Sequence, residues 1–252
     1  FKMKKKNIAI IQVRMKSSRL PGKMLKKIGK YSIIEWVIKR LKMVKSVDKI
    51  ILATTKKKID RKFKTISKKL GIDYFAGNEK DVLKRFVDAV KDIEKANIIR
   101  VCADNPFVDP GEINKLIVFH KKNKYDYVCN RQIYSKVYSG GFGAEIFSIN
   151  LLRKLDKLVK DKNYREHVTL YLYLWKNRKK FNIHSLKSKN YLGNQIISNK
   201  VPGPGNYYEY THSHYKFTLD TIDDFNFLKK IADKISINTS AKNILKIAKK
   251  LG

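Results

Sequence analysis

Apolar and polar positions fall in blocks, and the blocks switch period along the chain. Residues 7–13, "NIAIIQV", form a continuous apolar run of strand length, and 49–55, "KIILATT", form another. "IDYFAG" (72–77), "IIRVCAD" (98–104) and "YDYVCN" (125–130) read the same way. Between them the apolar residues recur at helical spacing. The helical stretches are "SIIEWVIKRLKMVK" (32–45), "DRKFKTISKKLG" (60–71, closed by Gly71), "DVLKRFVDAVKDIEKA" (81–96) and "PGEINKLIVFHKKN" (110–123). Unbroken apolar strands alternating with helices predict a mostly parallel sheet covered on both faces. Ligands of such sheets bind beyond the carboxyl ends of the strands.

The pattern changes after residue 131. Residues 132–149 read as extended segments around a glycine turn, followed by helices over 150–160 and 165–181 and a short strand at "NIHSLKS". Residues 191–214 have no period and are rich in Gly, Pro and Asn; such a stretch inside a compact domain is usually functional or mobile. "YKFTLD" (215–220) predicts a strand, and two helices finish the chain. The expectation is one α/β domain over 1–252, with an inserted β/α lobe at 132–190.

Composition narrows this picture. At 43% hydrophobic, the 252 residues can bury a sizeable core, and no apolar run reaches the ~20 residues of a membrane span. The basic start "FKMKKKNIAIIQV" has a short apolar run and no small-residue cleavage site, so it reads as a strand and not a signal peptide. Cys102 and Cys129 end apolar strands without a metal-binding spacing, which suits a reducing cytoplasm. The net charge is +35, but the lysines are scattered over almost every helix. That distribution describes a solvated basic surface, not a nucleic-acid motif, and no specific nucleic acid or membrane partner is expected.

Against that lysine background the ten arginines are informative, and two of them lie in "IIQVRMKSSRLPGKML" (10–25). Arg14 and Arg19 offer planar forks of donors, Ser17 and Ser18 add neutral ones, and Lys23 adds a mobile charge. At the exit of a first strand this set suits a triphosphate or pyrophosphate. It contains neither GxxxxGK[ST] nor GxGxxG. Asp104 and Asp220 each close an apolar segment, either as helix N-caps or as carboxylates that meet above the sheet and hold Mg²⁺. His120 and His184 have no motif context. His212 and His214 are only a weak metal pair, and no Ser/His/Asp or Cys/His nucleophilic arrangement is legible.

These motifs together resemble the CMP-sugar-type cytidylyltransferases, which include the acylneuraminate and 3-deoxy-manno-octulosonate cytidylyltransferases. The resemblance is strongest to the branch named for spore-coat polysaccharide biosynthesis. The opening loop is followed in order by "SIIEWVIKRLKMVKSVDKIILATT", "GNEKDVLKRFVDAV", "VCADNPFVDP", "YDYVCN", "REHVT" and "FTLDTIDDF". The resemblance implies a Rossmann-like nucleotide-diphospho-sugar transferase fold of the GT-A type. It also implies CTP as donor, Mg²⁺ as cofactor, and transfer of CMP to a sugar, sugar acid or polyol phosphate with release of pyrophosphate. By position, Arg14, Arg19 and Lys23 would hold the triphosphate, and Asp104 and Asp220 the metal. The stretch Ile11, Gln12 and Val13, with Arg100 and Ala103, would line the cytidine pocket, and Asp81 and Arg85 would shape the same side. Arg165, Glu166 and His167, with Glu145, would face the acceptor from the inserted lobe, which in relatives also makes a homodimer contact.

The chain departs from that pattern on the acceptor side. Gly143 stands where relatives carry an acidic residue before the retained Glu145, and Gly140 replaces a common aspartate. The 191–214 segment, with Tyr207, Tyr208 and Tyr210, is longer and more aromatic. Three other readings stay open at this level: a dedicated CMP-nonulosonate or CMP-octulosonate synthetase, a glycosyltransferase of the same fold, and a basic nucleic-acid-binding module.

Overall fold

The computed structural model describes residues 5–130, 140–174, 177–186 and 215–251. Residues 132–139 of the expected 132–149 turn region and all of the 191–214 segment lie outside the described residues. Each predicted buried strand is present: β1 (Lys6–Gln12), β4 (Lys49–Thr55), β5 (Asp73–Gly77), β6 (Ala96–Cys102) and β7 (Tyr127–Cys129). Between β1 and β4 lie a two-residue hairpin, β2 (Lys27–Ile28) and β3 (Tyr31–Ser32), and helix α1 (Ile33–Lys42). Helix α2 (Lys62–Leu70) joins β4 to β5, α3 (Val82–Ala89) joins β5 to β6, and α4 (Pro110–Lys122) joins β6 to β7. Strand β8 (Glu145–Ser148) leads into α5 (Ile149–Leu158), α6 (Lys162–Glu166) and α7 (Leu170–Tyr173). Strand β9 (Ile183–Ser185) precedes the closing helices α8 (Ile222–Ala232) and α9 (Ala241–Leu251).

Among the described residues the main sheet has the order β5-β4-β1-β6-β8-β7-β9. Strand β1 pairs in parallel with β4 and β6, β4 with β5, and β7 with β9; β8 runs antiparallel between β6 and β7. The period of two along β1 divides the core. Ile8 and Ile10 pack toward α3 and α5, whereas Ala9, Ile11 and Val13 pack toward α1, α4, α8 and α9. Covering both faces is what makes β1, β4 and β6 read as unbroken apolar runs.

Local chemistry sets the helix ends. Ser32 and Glu35 close a reciprocal capping box at α1, and Asp109 caps α4 ahead of Pro110. Gly71 ends α2 in the left-handed region at φ 59°.

Three expectations need correction. The helix over 81–96 stops at Ala89, because Val90 leaves helical geometry at φ −127°. The helix over 165–181 is broken into α6, α7 and a 3₁₀ turn at Arg178–Lys180. The break is at Val168, a buried β-branched residue at φ 57°, where the Thr169 N–H donates to His167 O at 2.6 Å. A β-branched residue is strained there, so tertiary packing outweighs local preference. Residues 215–220 form no strand: the Phe217 N–H donates to Gly140 O and the Leu219 N–H to Asp104 O, and no ladder develops.

Candidate functional site

Strands β1 and β6 end side by side, and a cavity of about 240 Å³ opens beyond their carboxyl ends. The first loop forms one wall. The Val13 N–H donates to Ala53 O at 3.1 Å, which ties the start of the loop to β4. Gly22, at φ 65°, turns the chain into the 3₁₀ segment Lys23–Leu25. Gln12, Val13, Arg14, Ser17, Ser18, Arg19 and Lys23 all line the cavity from this side. Ala103 and Asp104 line it from the end of β6, and Asp220 from the residue before the α8 cap.

Asp104 and Asp220 meet around one ammonium group. Lys23 Nζ lies 3.7 Å from Asp104 Oδ2 and 3.6 Å from Asp220 Oδ1, and it donates to Leu219 O at 2.5 Å. Arg19 Nη2 reaches Asp220 Oδ1 at 2.8 Å, and Lys216 Nζ reaches Asp220 Oδ2 at 3.0 Å. The N-cap reading fails for both carboxylates. Thr221 caps α8 in a box with Asp224, and Asp109 caps α4. Asp224 supports this edge: burial alone would raise its pKa, but hydrogen bonds from Lys216 and from the Thr221 and Asp220 amides hold it below the usual carboxylate value.

Arg85 closes the opposite wall. The residue is 1% exposed, and its Nε and Nη1 have no hydrogen-bond partner among the described residues. Burial, and then the neighbouring Arg14, push its pKa down to about 10. Its place depends on Gly77: a Cβ there would come within 2.7 Å of the Phe75 ring and 3.0 Å of Arg85 Cγ. Arg14 lies 3.6 Å from Glu166, which lines the cavity from the end of α6. The lining holds five cationic side chains (Arg14, Lys16, Arg19, Lys23 and Arg85) against three carboxylates. The excess of two positive charges matches a magnesium–nucleoside triphosphate, which carries about two negative ones near neutral pH.

Several residues expected in the site lie outside the lining. The Ile11 side chain is fully buried against the α1 face. Arg100 and Glu145 face each other across the β6–β8 ladder and form a buried ion pair at 2.6 Å. Arg100 also donates to Gln12 Oε1 at 3.2 Å, and Glu145 accepts from the Thr169 hydroxyl at 2.5 Å. Asp81 caps α3 and accepts from Arg165 Nε at 2.7 Å. Arg165 further binds Asp156 and the carbonyls of Asp156 and Val159, so from α6 it clamps the start of α3 to the end of α5. His167 is exposed at the end of α6, outside the cavity lining. Conversely, Lys16, Met24, Val82 and Cys102 line the cavity without having been singled out. Their signal was adjacency: each lies within two residues of a site residue or a strand end.

Two hard carboxylate oxygens beside an open, phosphate-sized cavity fit Mg²⁺, which takes few protein ligands when substrate phosphates supply the rest. No cluster of three or more His, Cys, Asp or Glu that could hold a metal occurs among the described residues. Asp104 and Asp220 are the residues that would hold such an ion.

Comparison with known proteins places the chain in a family. Residues 8–251 match the family model described as "Cytidylyltransferase". The chain is 36% identical over 239 residues to an uncharacterized protein of Methanocaldococcus jannaschii, covering 95% of this chain and 94% of that one. It is 34% identical over 170 residues to the spore coat polysaccharide biosynthesis protein SpsF of Bacillus subtilis, covering 65% and 68%. A solved cytidylyltransferase structure from Leptospira borgpetersenii superposes with a TM-score of 0.81 at 27% identity, covering 98% of this chain and 95% of that one. The chain belongs to the cytidylyltransferase family and is a CTP-dependent nucleotidyltransferase.

Proposed function

We propose that the enzyme transfers CMP from CTP to a sugar, sugar acid or polyol phosphate destined for a surface polysaccharide, releasing pyrophosphate. The observation that carries the reading is the buried guanidinium of Arg85, whose Nε and Nη1 have no hydrogen-bond partner among the described residues, beside Arg14 and opposite the Asp104–Lys23–Asp220 cluster. Buried donors without acceptors are costly and await an anionic or carbonyl-rich ligand. In this reading Arg14, Arg19 and Lys23 hold the triphosphate, with Ser17 and Ser18 as neutral donors. Arg85, Gln12, Val13 and Ala103 enclose the nucleoside. Asp104 and Asp220 would hold Mg²⁺, which neutralises phosphate charge and lowers the pKa of a bound acceptor oxygen.

The acceptor oxygen attacks the α-phosphorus, the bond from that phosphorus to the β-bridging oxygen breaks, and pyrophosphate departs. The chain's own part is to hold this geometry in line and to place cations around the charge that develops. Glu166, beside Arg14, is positioned to take the proton of a hydroxyl acceptor; a phosphate acceptor needs no base. The name of the Bacillus subtilis relative supports a polysaccharide precursor as acceptor. No described helix is long and apolar enough to cross a membrane. A cytoplasmic enzyme, dimeric through the 132–190 lobe, completes the proposal.

The test is pyrophosphate release from CTP and Mg²⁺ over a panel of sugar acids and sugar or polyol phosphates. Arg14→Ala and Asp104→Ala should each lower the rate by about 10²–10³. Release that is independent of acceptor, or unaffected by both substitutions, would contradict the proposal.

A further inference from the structure

We infer that Asp60, some 45 residues from the first loop in sequence, is the positioning residue that mounts Arg14 at the wall of the nucleotide cavity. Asp60 lies in the 3₁₀ turn Lys58–Arg61 and is 2% exposed. It does not cap the helix that follows it, and α2 has no side-chain cap. Its carboxylate turns back to the sheet edge. Oδ1 accepts the Met15 N–H at 2.7 Å, and Oδ2 accepts the hydroxyl of Thr55, the last residue of β4. Met15 directly follows Arg14, so this bond fixes the peptide on which Arg14 is mounted. The first loop is thereby pinned twice, at Val13 by Ala53 O and at Met15 by Asp60.

The same carboxylate acts on Arg85. Of the charged groups that bear on this guanidinium, Arg14 disfavours its charge, and Asp60, Glu79 and Asp81 favour it. Asp60 is the buried one of those three anions, so solvent screens it least. One buried charge therefore holds Arg14 by geometry and also favours the charged form of Arg85. Neither effect requires Asp60 to touch the nucleotide. A buried carboxylate that spends its lone pairs on a loop amide and a strand-end hydroxyl is costly unless those bonds matter to the fold or the site.

The inference rests on the CTP reading above, and wild-type binding separates the two. Equilibrium CTP binding with Mg²⁺ is measured for wild type, Asp60→Asn, Asp60→Ala and, as a control, Asp109→Asn, each at a temperature where it is folded. Asp109 is an equally buried carboxylate that caps α4 and pairs with Arg40 away from the cavity. Asp60→Asn keeps an acceptor for Met15 but removes the charge, and should weaken CTP binding about tenfold; Asp60→Ala should weaken it about 10²-fold. Asp109→Asn should lower Tm and leave CTP affinity unchanged. If wild type binds CTP and the Asp60 variants bind it equally well, with only Tm reduced, the inference is overturned. If wild type does not bind CTP, the functional reading itself fails.

Discussion

The pair Arg100–Glu145 gives the sharpest quantitative expectation. Sequence resemblance places these two residues on opposite substrates, Arg100 at the cytidine and Glu145 at the acceptor. The structure joins them to each other at 2.6 Å, with side chains only 7% and 1% exposed. Removing one partner strands a buried charge, which costs about 3–5 kcal/mol. Replacing both with apolar residues of similar volume removes the desolvation penalty together with the attraction, and is near neutral. Glu145→Leu and Arg100→Met should each lower Tm by roughly 6–20 °C, taking about 2–4 °C per kcal/mol for a chain of this size. The double variant should recover most of that loss, giving a coupling energy that approaches the sum of the two single losses. Urea or thermal unfolding of the four proteins measures the cycle, and CTP titration of each folded form measures the site. The pair lies outside the cavity lining, so CTP affinity of the double variant should stay within a few-fold of wild type. Single losses below about 1 kcal/mol, a double variant as weak as the two singles combined, or abolished CTP binding in the folded double variant would refute the assignment.

Other perturbations follow from the same geometry. Gly77→Ala should drive Phe75 or Arg85 aside, costing about 1–3 kcal/mol and weakening CTP binding, as calorimetry can check. Lys23→Met leaves Asp104 and Asp220 facing each other without their shared cation; the rate of pyrophosphate release should fall by about 10²–10³, and added Mg²⁺ should raise Tm more than it does in wild type. His120 is 8% exposed, and burial followed by Lys5 pushes its pKa down to about 4, with Asp126 opposing. Because the unfolded imidazole takes up its proton near pH 6.5, this residue's contribution is full above that pH and is lost as pH falls toward 4. The loss is roughly 2–3 kcal/mol, and His120→Leu should flatten the stability profile over that window.

The parts of the fold that sequence reveals are those where one local rule decides the outcome. Strands β1, β4 and β6 are buried on both faces, so their apolar runs can mean little else. The hairpin of β2 and β3 escapes notice because two-residue strands carry no period. The 165–181 helix fails at Val168, where the Glu145–Thr169 bond and core packing hold a backbone geometry that no β-branched residue prefers. Residues 215–220 look like a strand because Phe217 and Leu219 are buried, yet their amides find single partners in Gly140 and Asp104.

The site divides in the same way. The Arg14–Lys23 loop stands out by residue type, and the cavity lies where it points. The meeting of Asp104 with Asp220 depends on two distant segments converging on Lys23, which spacing does not reveal. Arg100 and Glu145 are neighbours only because β8 inserts antiparallel beside β6, and strand order is invisible to periodicity. Asp60 reads as the first residue of a helix, whereas its side chain serves the loop behind it. The departure at Gly143 has a physical reason as well: a Cβ there would overlap the Asn130 carbonyl, so this backbone admits no side chain at that position.

The central claim is that the cavity beyond β1 and β6 is built for CTP, and nucleotide-dependent thermal stability tests it most directly. Unfolding is followed with Mg²⁺ and each of CTP, UTP, ATP and GTP. A ligand present at a hundred times its Kd adds about 2.7 kcal/mol, which corresponds to a rise in Tm of roughly 5–11 °C. CTP should give that rise, the other nucleotides clearly less, and Asp60→Asn should reduce it. An unchanged Tm with CTP, or an equal rise with all four nucleotides, would contradict the account.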